Sequence, residues 1–340
     1  MQIVYCDPGR RTGWDPITWM VRLAGGLFET EPLVLDRAEA VPGLARKLAL
    51  LAPRRRGQES CLLVCPHPQA LWMVLAVEGW RRRFDRIAAW VIDSFWAEEI
   101  PWAIRRSEVI DEYFVTNLEE VELWARLTRK PCRWLPWGTD ALGLGQGGPA
   151  RPVDLLRLGR QPDAWERDEE TAGACDRHGL TFAGRPPGQE DQGDNERMLM
   201  RRLAGTKYVL CFTNRVNQAG YTHPTREYIT GRWVDALGGG ACVAGVHPRT
   251  ETVRRLLWPE GLLELGTTDR ERGLAAIASA ARGWAPEQAA LNHRRALERL
   301  DWRHRFADLA AALGGPGPRL TAELARLRQA VASPGEAAAG

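Results

Sequence analysis

The sequence predicts an α/β protein of two successive Rossmann-like domains, each a parallel sheet with helices on both faces. Three observations predict it. Short apolar runs alternate with helical patterns through the first half, a Gly/Pro-rich stretch interrupts them, and the alternation then restarts. Such alternation marks parallel sheets covered on both sides. The length of 340 residues exceeds one usual domain and suits two of roughly 150 to 180.

In the first half, strands are expected at 3–6, 33–35, 61–65, 88–92, 113–116 and 133–135, with helices at 42–51, 69–80 and 118–127. The stretch from Gly138 to Pro152 holds five glycines and two prolines and reads as a hinge or linker. In the second half, strands are expected at 154–158, 181–183, 208–212, 241–246 and 262–265. The helices there are 164–177, 195–203, 230–237, 250–258 and 270–282. Residues 286–313 read as one long helix or two joined ones, and 333–340 as a disordered tail. The expected division is 1–140, a linker at 141–152, 153–300, and terminal helices at 301–332.

Composition is ordinary for a globular protein, with 44% hydrophobic and 26% charged residues. A formal charge of +3 gives no argument for nucleic acid. Arginine runs at Arg54–Arg56 and Arg81–Arg83 read as solvated faces, with contact to anionic lipid or to an acceptor phosphate as the alternative. Seven cysteines lack metal-type spacing, so a reduced, cytoplasmic chain is expected. The first residues already read as a strand rather than a signal peptide, and no apolar run approaches membrane-spanning length. Most of the fifteen tryptophans are expected in the core, with Trp72, Trp96, Trp102 and Trp137 as candidates for an acceptor wall.

The most informative segment is Glu227-Tyr-Ile-Thr-Gly-Arg-Trp-Val-Asp235, followed by Ala236, Leu237, Gly240 and an apolar strand. Two acids lie eight positions apart around a helix start at Thr230 and Gly231. A helix start offers free N–H groups and the positive dipole end to a phosphate. Carboxylates on either side suit sugar hydroxyls. The pattern resembles the donor-site signature of retaining, family-4-like glycosyltransferases of the GT-B fold. It departs from that signature in Asp235, which stands for a glutamate, and in Tyr228-Ile229-Thr230-Gly231, which replaces the usual Gly-Phe-Gly. The segment Trp134 to Asp140 resembles the one that closes the N-terminal domain in that family, and His223-Pro-Thr225 the one that precedes its first acid.

The resemblance implies two domains facing a cleft, with a C-terminal helix crossing back to the first. It places a nucleotide-diphosphate sugar on the second domain as co-substrate, with no other cofactor and no metal. Glu227 would face the transferred sugar, Asp235 the ribose, and Arg160 the diphosphate. Arginine suits phosphate because its fork makes paired contacts. Where the family has a lysine after its Gly-Arg, this chain has Trp165, with Arg167 two residues on as a substitute. Arg215, Thr225, Arg226, Tyr228, Ile229, Thr230 and Gly231 complete the expected donor site. On the first domain, Gly9 and Gly13, in a loop with Arg10 and Arg11, would lie beside the sugar. Asp93 and His67, at strand ends, would serve the sugar or the acceptor. A helix cap is the alternative for Asp93, and a structural role between two prolines for His67.

Four scattered histidines (His178, His247, His293, His304) show no metal spacing, and no phosphate-binding P-loop or esterase elbow occurs. The expected acceptor is a small molecule, glycan or lipid, with peripheral contact to the inner membrane face compatible. A nucleotide-sugar epimerase or hydrolase, or a non-catalytic scaffold of the same fold, are the alternatives.

Overall fold

The computed structural model describes residues 1–9, 13–36, 43, 47, 48, 50, 53–188 and 190–332. The expected helix at 42–51, Arg10, Arg11 and the tail at 333–340 fall wholly or mostly outside them. The chain divides into two compact units, Met1–Pro136 with Arg305–Leu324, and Trp137–His304 with Ala325–Gly340.

The first unit holds strands β1 (Gln2–Cys6), β2 (Leu33–Leu35), β3 (Glu59–Cys65), β4 (Phe84–Val91), β5 (Glu112–Val115) and β6 (Cys132–Trp134). They form one parallel sheet in the order β2-β1-β3-β4-β5-β6. Cys61 to Cys65 and Ile87 to Val91 are buried without alternation, as strands covered on both faces must be. Its helices are α1 (Asp15–Leu27), α2 (Trp80–Arg83), α3 (Trp102–Arg105) and α4 (Val121–Thr128). The expected helix at 69–80 is instead a 3₁₀ segment, Pro68–Ala76. Its three-residue repeat stacks Leu71 and Val74 into the core together.

The second unit holds β7 (Val153–Arg157), β8 (Phe182–Ala183), β9 (Thr206–Leu210), β10 (Cys242–Gly245) and β11 (Leu262–Glu264), parallel in the order β11-β10-β9-β7-β8. Its helices are α5 (Asp168–Arg177), α6 (Gln192–Ala204), α7 (Gly231–Gly238), α8 (Glu251–Leu256), α9 (Arg270–Arg282) and α10 (Glu287–Arg299). Two more, α11 (Trp302–Leu313) and α12 (Pro318–Ala332), carry the chain across the division between the units. Residues 286–313 are thus two helices, broken at Leu300 and Asp301.

The end of α11 belongs to the first unit. The Ser60 hydroxyl donates to the Leu313 carbonyl at 2.8 Å, Arg86 to the Ala312 carbonyl at 2.6 Å, and Phe306 meets Phe28 edge-on at 5.9 Å.

The expected linker at 141–152 is built into the second unit. Buried Arg151 donates to the carbonyls of Leu203 and Thr206, each at 2.8 Å, and to that of Gly239 at 2.8 Å. The glycines there permit close packing. A Cβ on Gly145 would stand 2.5 Å from the Ala141 carbonyl oxygen, and one on Gly147 2.9 Å from Ala290 Cα. Just before them, Arg303 bonds Asp140 at 2.8 Å and Asp301 at 3.1 Å, all three buried. Asp301 also accepts from the Leu142 N–H at 2.8 Å.

Replacing Arg303 with leucine leaves two buried carboxylates without their cation. We expect a loss of about 3–5 kcal/mol in urea unfolding. The exposed Arg167→Ala change, by contrast, should alter stability by less than about 0.5 kcal/mol.

Candidate functional site

In the second unit, three neighbouring strands bring chemistry-bearing residues to their carboxyl ends, where open α/β sheets bind ligands. Strand β7 exits through Leu158, Gly159 and Arg160. Gly159 adopts φ +61°, a left-handed conformation that favours glycine. Arg232, in the first turn of α7, donates from one Nη1 to the carbonyls of Leu158 at 2.9 Å and Arg160 at 3.1 Å. The strand end and the helix start are thereby tied together.

Arg160 is half-buried and only partly satisfied. Its Nη2 donates to the Asn217 carbonyl, and Tyr221 lies 4.9 Å from the guanidinium. Its Nε and Nη1 are buried without a hydrogen-bond partner among the described residues. Buried donors of this kind are costly unless something accepts from them. Arg185 Nη2 also reaches this turn, donating to the Gly159 carbonyl at 3.1 Å.

Strand β9 exits through Thr213 and Asn214. The Thr213 hydroxyl donates to Glu227 Oε1 at 2.7 Å. Beyond β10, the Arg249 N–H donates to Glu227 Oε2 at 3.2 Å. Glu227 is thus fixed through both oxygens between two strand exits. Asn214 pins the intervening loop, donating to the carbonyls of His223 at 3.1 Å and Arg226 at 2.9 Å. The backbone N–H groups of Thr225 and Arg226 converge on His223 Nδ1 at 3.2 and 3.0 Å. Arg215 is exposed and donates to the Pro224 carbonyl at 2.9 Å, so it braces this loop.

Tyr228 and Ile229 are buried beneath the start of α7. Thr230 precedes Gly231 in extended conformation, and no side chain caps the helix. The Thr230 hydroxyl is buried without a partner among the described residues. Arg160, Thr230 and the uncapped start of α7 each leave donors unmet, and the Arg160 backbone is tied to α7 through Arg232.

Two further expected donor residues, Arg167 and Asp235, have surroundings unlike those of Arg160. Arg167 is a surface residue whose guanidinium pairs with Glu170 at 2.6 Å. Asp235 is only 1% exposed, and both carboxylate oxygens are buried without a hydrogen-bond partner among the described residues. Burial pushes its carboxyl up to about 7, and the Thr139 hydroxyl partly opposes that rise. Arg232, Arg185, Thr213 and Asn214 were not foreseen. A basic residue in the first turn of a helix opposes the dipole, which was the available sign that Arg232 had another task.

In the first unit, Asp93 follows β4 and His67 follows β3, which pair along Leu63 to Cys65 with Ala89 to Val91. Asp93 precedes the 3₁₀ segment Ser94–Glu99 but makes no side-chain cap. Burial pushes its carboxyl up to about 8. His67 Nδ1 accepts from the Gln69 N–H at 3.3 Å, capping Pro68–Ala76, while Nε2 lies 3.8 Å from Glu99. Gly9 and Gly13, after β1, adopt φ +94° and +74°. Of the candidate acceptor tryptophans, Trp137 is buried, Trp72 and Trp96 are half-buried, and Trp102 is 66% exposed. Among the described residues, no group of three metal-binding side chains occurs.

Two parallel α/β units with a C-terminal return to the first define a GT-B fold. No protein-family model matches the chain, and neither does any curated protein. Among solved structures, it is similar to Anabaena HepE in complex with UDP, with a TM-score of 0.51 and 11% identity over 92% of this chain and 99% of that one. It is also similar to the pneumococcal O-GlcNAc transferase GtfA in complex with UDP and GlcNAc (0.48, 14%, 79% and 58%). A mutant of T4 phage BGT in complex with UDP-glucose gives 0.47 and 10%, over 92% and 100%.

The raised carboxyls set a pH dependence. Asp93 and Asp235 hold their protons in the folded chain where unfolded aspartates, near about 3.9, lose them. Their stabilisation is fully present below about pH 4 and is lost as pH rises through about 7 for Asp235 and about 8 for Asp93. Between pH 5 and 8 the unfolding midpoint of Asp235→Asn should therefore fall less than that of the parent. Parallel slopes would show that Asp235 titrates normally.

Proposed function

We propose that this chain is a glycosyltransferase taking its sugar from a nucleotide-diphosphate donor bound on the second unit. The observation that carries this reading is the pair of buried, unpartnered donors of Arg160 beside the uncapped start of α7. A diphosphate supplies oxygens that such donors accept, and a helix start adds a favourable dipole. Glu227, held through both oxygens, presents a fixed acceptor to a sugar hydroxyl. UDP is the nucleotide we propose, supported by its presence with HepE.

In the transfer, an acceptor hydroxyl oxygen bonds to the anomeric carbon. The bond from that carbon to the phosphate oxygen breaks, and its electron pair leaves with the nucleoside diphosphate. Arg160 and the helix start meet the leaving charge, the role a cation fills elsewhere, so we propose a metal-independent reaction. The family resemblance supports front-face displacement with retention, the departing phosphate oxygen taking the acceptor proton.

A second reading, inversion with Asp93 as general base, is favoured by one observation. The Asp93 carboxyl caps no helix and is pushed up to about 8, near working pH. In that case kcat/KM rises with pH towards about 8 and Asp93→Asn abolishes transfer. The anomeric configuration of the product, read by NMR, separates the two.

UDP should raise the melting temperature of the parent protein, and Arg160→Ala should weaken UDP binding about 10- to 100-fold. Glu227→Ala should spare UDP binding and depress transfer. No stabilisation by UDP, GDP or their sugars would leave the non-catalytic scaffold as the better account.

A further inference from the structure

The amino ends of β3 and β4 lie at the opposite edge of the first unit's sheet from His67 and Asp93. There, Pro53, Arg55, Gly79, Trp80, Arg81 and Arg82 line a cavity of about 480 Å³. Backbone contacts fix its walls. The Arg55 N–H donates to the Arg81 carbonyl at 2.8 Å, and the Arg82 N–H to the Gly79 carbonyl at 2.9 Å. Gly57 lies so close that a Cβ there would fall 2.1 Å from the Arg83 carbonyl oxygen.

The arginines around this edge fall into two groups. Those outside the cavity have carboxylate partners: Arg54 with Asp111 at 2.5 Å, Arg83 with Glu59 at 2.8 Å, Arg86 with Glu112 at 3.7 Å and Arg56 with Asp85 at 3.7 Å. Arg55, Arg81 and Arg82, which line it, form no ion pair among the described residues. Arg81 lies 5.8 Å from the ring of Trp80, which forms part of the wall. Glu78, the adjacent acid, is exposed and likewise pairs with nothing described. Arg55 and Arg82 are exposed and Arg81 half-buried, and three like charges bordering one concavity raise its positive potential, which an anion would lower. Guanidinium groups bind phosphate oxygens in a forked, charge-assisted manner.

We propose that this cavity binds a multivalent phosphate anion, separate from the donor diphosphate site. The chemistry fits a free polyphosphate group and clustered lipid headgroups alike. The proposal stands independently of sugar transfer, and the experiment removes the donor site first.

In an Arg160→Ala background, inorganic tripolyphosphate is titrated into the full chain by calorimetry. The same protein is co-sedimented with phosphatidylcholine vesicles with and without phosphatidylglycerol. Combining Arg55→Ala, Arg81→Ala and Arg82→Ala should weaken binding of at least one probe by about tenfold or more. The single change Arg82→Glu should do so with the smallest disturbance of the fold, and Arg56→Ala should have little effect. Loss with tripolyphosphate identifies a free anion, and loss with phosphatidylglycerol vesicles alone identifies headgroups. Failure of the Arg160→Ala protein to bind either probe overturns the proposal. So does equal binding by the parent and both cavity variants.

Discussion

The bond from Arg232 to the carbonyls of Leu158 and Arg160 is the constraint on which the second unit's site depends. It places a cation at the positive end of a helix, an arrangement the dipole opposes. Two carbonyl acceptors at 2.9 and 3.1 Å offset that opposition. In return, the exit of β7 is locked to the start of α7. Gly159 can then turn with φ +61°, and Arg160 emerges beside the uncapped helix. On the other side, Glu227 joins the exits of β9 and β10 through Thr213 and Arg249. Three strand ends and one helix start are thus held in register by the chain itself.

Much of the architecture was legible because parallel sheets write themselves as apolar runs. Strands β3 and β4 are buried on both faces, and their sequences contain little else. The candidate site was legible to the extent that Glu227, Arg160 and the start of α7 all lie past the carboxyl ends of the second unit's strands. What the sequence could not resolve was direction. Asp235 keeps its spacing from Glu227 in the sequence, but its side chain is buried, with Thr139 close by. The Gly-rich stretch after Gly138 presents a similar ambiguity. Glycine serves flexibility and close approach equally, and here Gly145 and Gly147 serve approach. Arg151, between prolines and alanine in the sequence, gives no sign that it gathers carbonyls from three separate segments.

Arg303 and Arg160 differ in how far the chain itself satisfies them. Arg303 lies between Asp140 and Asp301, and the surrounding backbone supplies the remaining bonds. Such a closed network holds structure and leaves nothing for a ligand. Arg160 is half-satisfied: one nitrogen is bonded to the Asn217 carbonyl, and two are buried and unmet. Such a deficit calls for an acceptor from outside the chain, whether water or a ligand. The same reasoning distinguishes Arg167, paired at the surface with Glu170, from its near neighbour in sequence. Proximity to a motif does not set an arginine's surroundings: Arg160 keeps buried donors open, and Arg167 does not.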